Sequence, residues 1–373
     1  MRLFLKLFAG AIVLVVALVG GFLFAVEHPT TRGPVRCWLQ ETLYTQSWEA
    51  PPAGTPIIEA RLTTEPVRDL CDAADDPAIW VSDFIEGGVV VLGTNKQSSL
   101  NTYDIQGALI DRVGDIGAPN NVDIRVDDGR LIAMASDKED SEIEVFELDL
   151  ETGKLIRLDA AEISADVEDE VYGLCMYASD HEVFVFITDK SGLISQYLVN
   201  SELGRARKVR ELRVGTQPEG CVVDDAVHAL YVGEENVGIW RFSAKPDAGT
   251  DGHLIARTGD AGTLTADVEG LSIYRGEALE EGYLIASSQG DNTNAVYDRA
   301  PPHDFRGRFQ LSFGGVIIGD TDGLAVTSKP IGEAFPAGLL VVQDGLIRDE
   351  NGKRRNQRFA YVSWSDIEAA LGL

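Results

Sequence analysis

The sequence predicts an all-β fold: a six-bladed β-propeller preceded by an N-terminal hydrophobic segment. Three observations carry this. From about residue 57 the chain reads as short β-branched and aromatic runs broken by Gly, Asp and Asn, with almost no helical periodicity. An acidic, amide or aromatic residue followed by Pro, Gly or Val and then a strand recurs as DDPAIWV, NNVDIRV, VYGLCMY, PEGCVV, VEGLSIY and TDGLAV. Anchored on Pro77, Val122, Gly173, Gly220, Gly270 and Gly323, these motifs lie 45, 51, 47, 50 and 53 residues apart, the period of a unit of about four short strands.

From the N-terminus, Arg2 and Lys6 precede an apolar run from Leu7 to Val26. Its 20 residues exceed the ~7 to 15 of a signal-peptide core and match the ~20 needed to span a bilayer. No small-x-small cleavage site follows, which favours a membrane anchor at residues 1–26 over a cleaved signal peptide, with the basic end inside. Either way the rest is exported, to the periplasm or the extracellular space. Residues 27–56, ending in EAPPAGTP, read as a linker, and 57–373 as the propeller. IIEARLT (57–63) is expected to supply a strand to the last blade and close the ring. The one helix signal comes last, where Ser365 and Glu368 read as a capping box before IEAALGL.

The 373 residues carry 32 basic and 60 acidic side chains, a net charge of -28. Nucleic acid is excluded as a partner by repulsion; cations, or solubility alone, are favoured. The four cysteines, Cys37, Cys71, Cys175 and Cys221, show no C-x-x-C spacing, so neither a zinc site nor a thioredoxin motif is indicated. Export permits disulfides, and Cys37 with Cys71 is one available pair. A monomer is expected.

Inner strands of a propeller run side by side along a central channel, so equivalent residues form rings. The first ring reads Asp76, Asn121, Tyr172, Glu219, Glu269 and Asp322, with Asp75, Asp123, Asp267 and Asp320 beside it. A single acidic residue before Gly is ordinarily a turn residue. Four in one column of six would repel one another unless protonated or bridged, and an all-oxygen set without His or Cys selects a hard cation such as Ca²⁺. Asp72 has no counterpart in the repeats and reads as a turn residue. A second ring closes the second strands: Asn95, Asp137, Asp189, Glu235, Gln289 and Asp344, followed by Lys96, Lys138, Lys190, Asn236, Gly290 and Gly345. Three lysines in register, facing an acidic half-ring, suit a polyanion held between ammonium groups and metal ions. A multiply phosphorylated small molecule is the substrate class that needs both.

The stretches DAADDPAIW, GTNK, NNVDIR, EVYG, QPEG, GEEN, DVEGLSIY, GYLIASSQG, DTDG and VQDG together resemble the β-propeller phytases, over about residues 65 to 365. These are calcium-dependent enzymes that hydrolyse myo-inositol hexakisphosphate (phytate). The resemblance implies several Ca²⁺ ions held by Asp75, Asp76, Glu219, Asp267, Glu269 and Gln289, with Glu235 also in the site; the acidic ring adds Asp322 as a ligand. It implies phosphate contacts from Lys96, Lys138, Tyr172 and Lys190, and a structural calcium site at Asn121 and Asp123. Attack by a metal-bound water is the implied chemistry, with Glu219 or Glu235 orienting or deprotonating it. Two departures stand out: Lys138 replaces a common arginine, and GGVIIG (314–319) lacks an acidic residue usual before DTDG, implying that one calcium site is altered or missing.

Other phosphatase chemistries fail on the residues. No cysteine is followed six residues later by Arg, and no histidine lies in an arginine-rich setting. Two alternatives stay open: a calcium-binding propeller lactonase, which has no need of three lysines in register, and a non-catalytic propeller binding module.

Overall fold

Both faces of the second strand in each repeat are apolar, and that decides the architecture. In Val89–Asn95, Val89 and Val91 point one way and Val90 and Leu92 the other, all fully buried. Such a strand must be covered on both sides, so each sheet packs between two others. The computed structural model describes Cys37 and residues 48–84, 86–158, 163–179, 182–200 and 205–373. The apolar run 7–26, and with it the anchor reading, lies outside the described residues.

The described residues form six sheets, each starting at the channel and running outward in chain order, save that blades 5 and 6 end in a strand from the start of the domain. Blade 1 comprises Ala74–Val81, Val89–Asn95, Ser99–Tyr103 and Leu109–Gly114. Blade 2 comprises Pro119–Asp127, Arg130–Asp137, Glu142–Leu148 and Leu155–Arg157, with Ile163–Ser164 added. Blade 3 holds Val171–Ser179, Glu182–Asp189, Leu193–Asn200 and Arg205–Arg213, and blade 4 Pro218–Asp224, Ala229–Glu234, Gly238–Ser243 and His253–Arg257. Blade 5 holds Val268–Arg275, Gly282–Ser288, Thr293–Asp298 and Phe305–Phe313, with Val316–Ile318 folded back on the last. Blade 6 holds Leu324–Thr327, Leu339–Asp344 and Arg358–Ser363. Leu62–Thr63 pairs antiparallel with Arg358–Ser363 as the outermost strand of blade 6, so the two ends of the propeller close the ring.

Buried apolar side chains accordingly gather in clusters between successive blades. Ile132 and Met134 of blade 2 meet Leu174 and Val185 of blade 3. Phe186 of blade 3 meets Val223 and Val232 of blade 4. Phe359 of blade 6 meets Val89 and Val91 of blade 1, and a Cβ on Gly93 would fall 2.3 Å from the Phe359 ring.

Three local expectations are corrected. IIEARLT is split between two blades: Ile57–Glu59 runs parallel to Phe305–Phe313 of blade 5, because Ile58 is drawn into the cluster between blades 5 and 6. Pro77 does not start its strand but sits within Ala74–Val81, where the register shifts and a missing N–H is tolerated. The terminal helix Trp364–Leu371 begins before Ser365; Ser363 is its N-cap, without a side-chain cap bond. Glu368 instead accepts from Trp364 Nε1 at 3.1 Å, since burial of Trp364 fixes where the helix starts. The cysteines pair as Cys37–Cys71 and Cys175–Cys221.

Because the inter-blade contacts hold the ring shut, one large truncation there should be felt globally. Phe186→Ala, in a fully buried position, is expected to lower the unfolding free energy by about 3–5 kcal/mol, read from guanidinium denaturation.

Candidate active site

One backbone irregularity builds the site. In blades 1 to 5 two residues of the inner strand oppose a single residue of the second strand: Asp75 and Asp76 lie between the pairs Ala74↔Asn95 and Pro77↔Gly93, opposite Thr94. The same bulge holds Asn120 and Asn121, Tyr172 and Gly173, Glu219 and Gly220, and Glu269 and Gly270. In blade 6 Asp322 and Gly323 precede the pair Leu324↔Val342.

This register corrects the rings drawn from motif spacing. The first ring is Asp75, Asn120, Tyr172, Glu219, Glu269 and Asp322. Asp76 and Asn121 belong one position further on, with the four glycines. The backbone confirms it: the N–H groups of Asp76, Asn121 and Gly173 all donate to the facing hydroxyls, Thr94, Ser136 and Thr188. In blades 3 to 6 that column needs glycine because the next strand's backbone or side chain lies against it. A Cβ on Gly173 would lie 1.8 Å from the Glu219 carbonyl oxygen, and one on Gly220 2.2 Å from that of Glu269.

The second ring shifts likewise in blades 4 and 5. Lys96, Lys138, Lys190, Glu235, Gln289 and Gly345 are equivalent: each backbone N–H donates to a carbonyl just ahead of its blade's inner strand, as in Lys96 to Ala73, Glu235 to Gln217 and Gln289 to Asp267. The column before it does different work. Asp137, Asp189, Glu234 and Ser288 accept backbone N–H groups of the entering loops, from Ala118, Glu168, Thr216 and Thr265. One register position therefore carries ammonium groups in blades 1 to 3 and a carboxylate, an amide and a glycine in blades 4 to 6.

On the basic side, Lys138 and Lys190 lie 5.3 and 4.8 Å from the centroid of the Tyr172 ring, so the ring is flanked by two cations. Burial, then the charges of Glu219 and Glu269, pushes the Tyr172 hydroxyl far above its usual range. Lys190 also pairs with Glu170 at 2.8 Å. Lys96 departs from the other two: it meets Asp72 and Asp322 at 2.7 Å and Asp75 at 3.4 Å. Asp72 is thus a partner of Lys96 and no mere turn residue.

On the acidic side, Glu219, Glu235 and Glu269 are buried, with one oxygen from each within 4.8 Å of the others. Burial and the nearby Glu219 charge raise Glu269 well above the carboxylate range. Burial also acts to raise Glu219, but the hydrogen bond from Glu269 and the fields of Lys96 and Lys138 outweigh it and leave Glu219 lowered. Burial and Glu219 push Glu235 up to about 7, against a hydrogen bond from Gln217. Asp267 is raised by burial and Glu219. Gln289 Nε2 donates to Asp322 Oδ1 at 2.7 Å.

These residues fit a hard cation. Asp75 Oδ2 and Glu269 Oε2 are buried polar atoms without a hydrogen-bond partner, a costly state for carboxyl oxygens that a bound cation would relieve. Asp76, Asn121 and Asp123 continue from the mouth along the wall of the central channel, a cavity of about 360 Å³. Asp123 is not free there. Arg125 Nη1 donates to its Oδ1 at 2.7 Å and Arg125 Nε to Asp225 at 2.9 Å. GGVIIG forms a hairpin turn and the strand Val316–Ile318 against Phe305–Phe313.

Motif reading missed Asn120, which donates to Glu219 Oε1 at 3.1 Å and to Asn121 Oδ1 at 2.8 Å. The doubled Asn in NNVD was its signal. It also left Cys175 and Cys221 unassigned.

A family model described as Phytase matches residues 51–373. A 3-phytase of Bacillus subtilis (strain 168) is 39% identical over 332 residues, covering 84% of this chain and 85% of the relative. Among solved structures, a gluconolactonase from Xanthomonas campestris superposes with a TM-score of 0.50 at 14% identity, covering 84% of this chain and 98% of its own. That likeness shows the shared fold alone.

The crowded carboxyls predict a pH effect on the chelated protein. Glu235, raised to about 7 when folded against 4.5 in the unfolded chain, binds its proton more tightly in the native state. Its stabilising effect is complete below pH 4.5 and is lost as pH rises through about 7. In chelator, the melting temperature is expected to be lower at pH 8 than at pH 5.5, and added calcium should raise it more at pH 8.

Proposed function

The chain belongs to the phytase family, and on that premise we propose that it is a calcium-dependent phosphomonoester hydrolase acting on myo-inositol hexakisphosphate. It would release inorganic phosphate and lower inositol phosphates. One observation carries the reading: a single register position around one mouth bears lysines on three blades and oxygen ligands on the next two, the two-sided arrangement a polyphosphate requires. A lactonase has no use for the basic side.

Asp75, Asp76, Glu219, Glu235, Asp267, Glu269, Gln289 and Asp322 would hold calcium at the mouth, and Asn121 and Asp123 a structural ion along the channel wall. When bound, such ions supply the positive charge that lets an acidic protein accept a polyanion and make an associated water easier to deprotonate. Lys138 and Lys190, set by the Tyr172 ring between them, bind substrate phosphate and stabilise charge on its equatorial oxygens. Lys96 does the same from the edge of the carboxylates. Glu219, kept ionised by its hydrogen bonds, orients the attacking water. Glu235, with a proton affinity near neutrality, takes its proton.

We infer further that the enzyme is exported and monomeric, in the periplasm or outside the cell, and held to the membrane by residues 7–26 if these are retained. The apolar run and the two disulfides support an oxidising compartment.

Phosphate release from phytate is expected from the purified protein with calcium and not with chelator; release that survives chelation would remove calcium from the reading. Charge-assisted contacts of about 1.5–3 kcal/mol each predict that Lys138→Ala or Lys190→Ala lowers kcat/KM for phytate by roughly ten- to a hundredfold. Full activity in the Lys96→Ala, Lys138→Ala, Lys190→Ala triple variant would end the phosphate role of the lysines.

A further inference from the structure

The basic and acidic sides of the mouth meet between blades 3 and 4, and a covalent bond crosses that boundary. Cys175 lies three residues beyond Tyr172 in Val171–Ser179, and Cys221 two residues beyond Glu219 in Pro218–Asp224. Their disulfide joins these neighbouring inner strands with a Cα–Cα distance of 5.6 Å, and both cysteines are buried. Among the described residues no other pair of inner strands is cross-linked this way. The remaining ties near the mouth between the lysine blades and blade 4 are single hydrogen bonds: Thr188 Oγ1 donates to the Pro218 carbonyl at 3.2 Å and Asn120 Nδ2 of blade 2 donates to Glu219 Oε1 at 3.1 Å, while the column position beside Tyr172 is Gly173, which has no side chain to bridge the gap. At the boundary of blades 1 and 2, by contrast, Asp76 Oδ2 accepts from Val122 N–H at 3.0 Å and Thr94 Oγ1 donates to the Asn120 carbonyl at 2.6 Å.

Tyr172 carries the ring on which Lys138 and Lys190 are set, and Glu219 is the ionised carboxylate at the centre of the acidic cluster. A short covalent path therefore links the two elements that a polyphosphate would have to touch at once. We propose that the Cys175–Cys221 disulfide is a positioning device that holds the Tyr172 lysine platform in register with the Glu219 cluster, so that one substrate engages both sides together. This rests on the phosphate-hydrolase reading of the mouth. Asp75 and Asp322 of blades 1 and 6 and Glu219, Glu235 and Glu269 of blades 4 and 5 all lie on one side of this boundary, going round the ring through blade 6. Loosening the boundary should leave the relation among the carboxylates intact and disturb their relation to the lysine platform.

The test compares the wild-type protein with Cys175→Ala/Cys221→Ala, and with Cys175→Val/Cys221→Ala to refill the vacated volume, at a temperature where circular dichroism shows each to be folded. Ile367→Ala, buried under the terminal helix, serves as a variant destabilised elsewhere. The expected result is a loss of about tenfold in kcat/KM for phytate carried by KM in both disulfide variants, with calcium affinity by isothermal titration unchanged. Ile367→Ala should lower the melting temperature without moving KM. A fall in melting temperature with KM unchanged in the disulfide variants would overturn the proposal and leave the bond a plain stabilising crosslink. A parallel loss of calcium affinity would also overturn it, by showing general loosening. A wild-type protein that binds calcium but releases no phosphate would overturn the hydrolase reading, and the proposal with it.

Discussion

The bulge in the inner strands of blades 1 to 5 is the constraint on which the rest of the molecule depends. An uninterrupted antiparallel pair would send successive side chains alternately to the two faces of its blade. Two inner-strand residues against one second-strand residue instead turn one side chain toward the mouth, while its neighbour's N–H is taken by the facing hydroxyl in blades 1 to 3. Repeated through blades 1 to 5, this delivers Asp75, Asn120, Tyr172, Glu219 and Glu269 to one end of the channel, where Asp322, just ahead of the blade 6 strand, joins them. It also brings the inner strands so close that glycine follows in blades 3 to 6.

Concentrating carboxylates in this way has an electrostatic cost, and the site is organised around it. Burial and mutual repulsion raise Glu235, Glu269, Asp267 and Asp75 above their ordinary range. Lys96 offsets part of the charge from within, through Asp72, Asp75 and Asp322. Buried oxygens on Asp75 and Glu269 that no protein donor reaches are where a cation would offset the remainder. The other two lysines are spared this task. Tyr172 keeps them beside an aromatic face instead of a carboxylate ring, with Lys190 alone also drawn to Glu170.

Much of this was legible in the sequence. Six repeats of alternating apolar strands can bury both faces of each sheet only by closing a ring, so period and patterning were enough to give six blades. Residue types at the mouth were equally plain, since clustered Asp and Glu without His or Cys, set against three lysines, leave little other chemistry. Register was harder. Asp76 and Asn121 align with the glycines, and Glu235 and Gln289 with the lysines, because a bulge shifts pairing by one residue without leaving any mark on motif spacing. Asn120 escaped notice for the same reason.

By itself, then, the sequence determined the all-β class, the blade number, the acidic, all-oxygen character of one mouth and the division between lysines and carboxylates, all of which follow from composition repeated at a fixed period. The tertiary structure decided which residues share a ring, that Asp72 partners Lys96, that Ile57–Glu59 joins blade 5 while Leu62–Thr63 closes blade 6, and that Cys175 meets Cys221. Each of these depends on the distance between strands far apart in the chain. That distance is set by inter-blade packing and bulge geometry, which no local pattern of residues records.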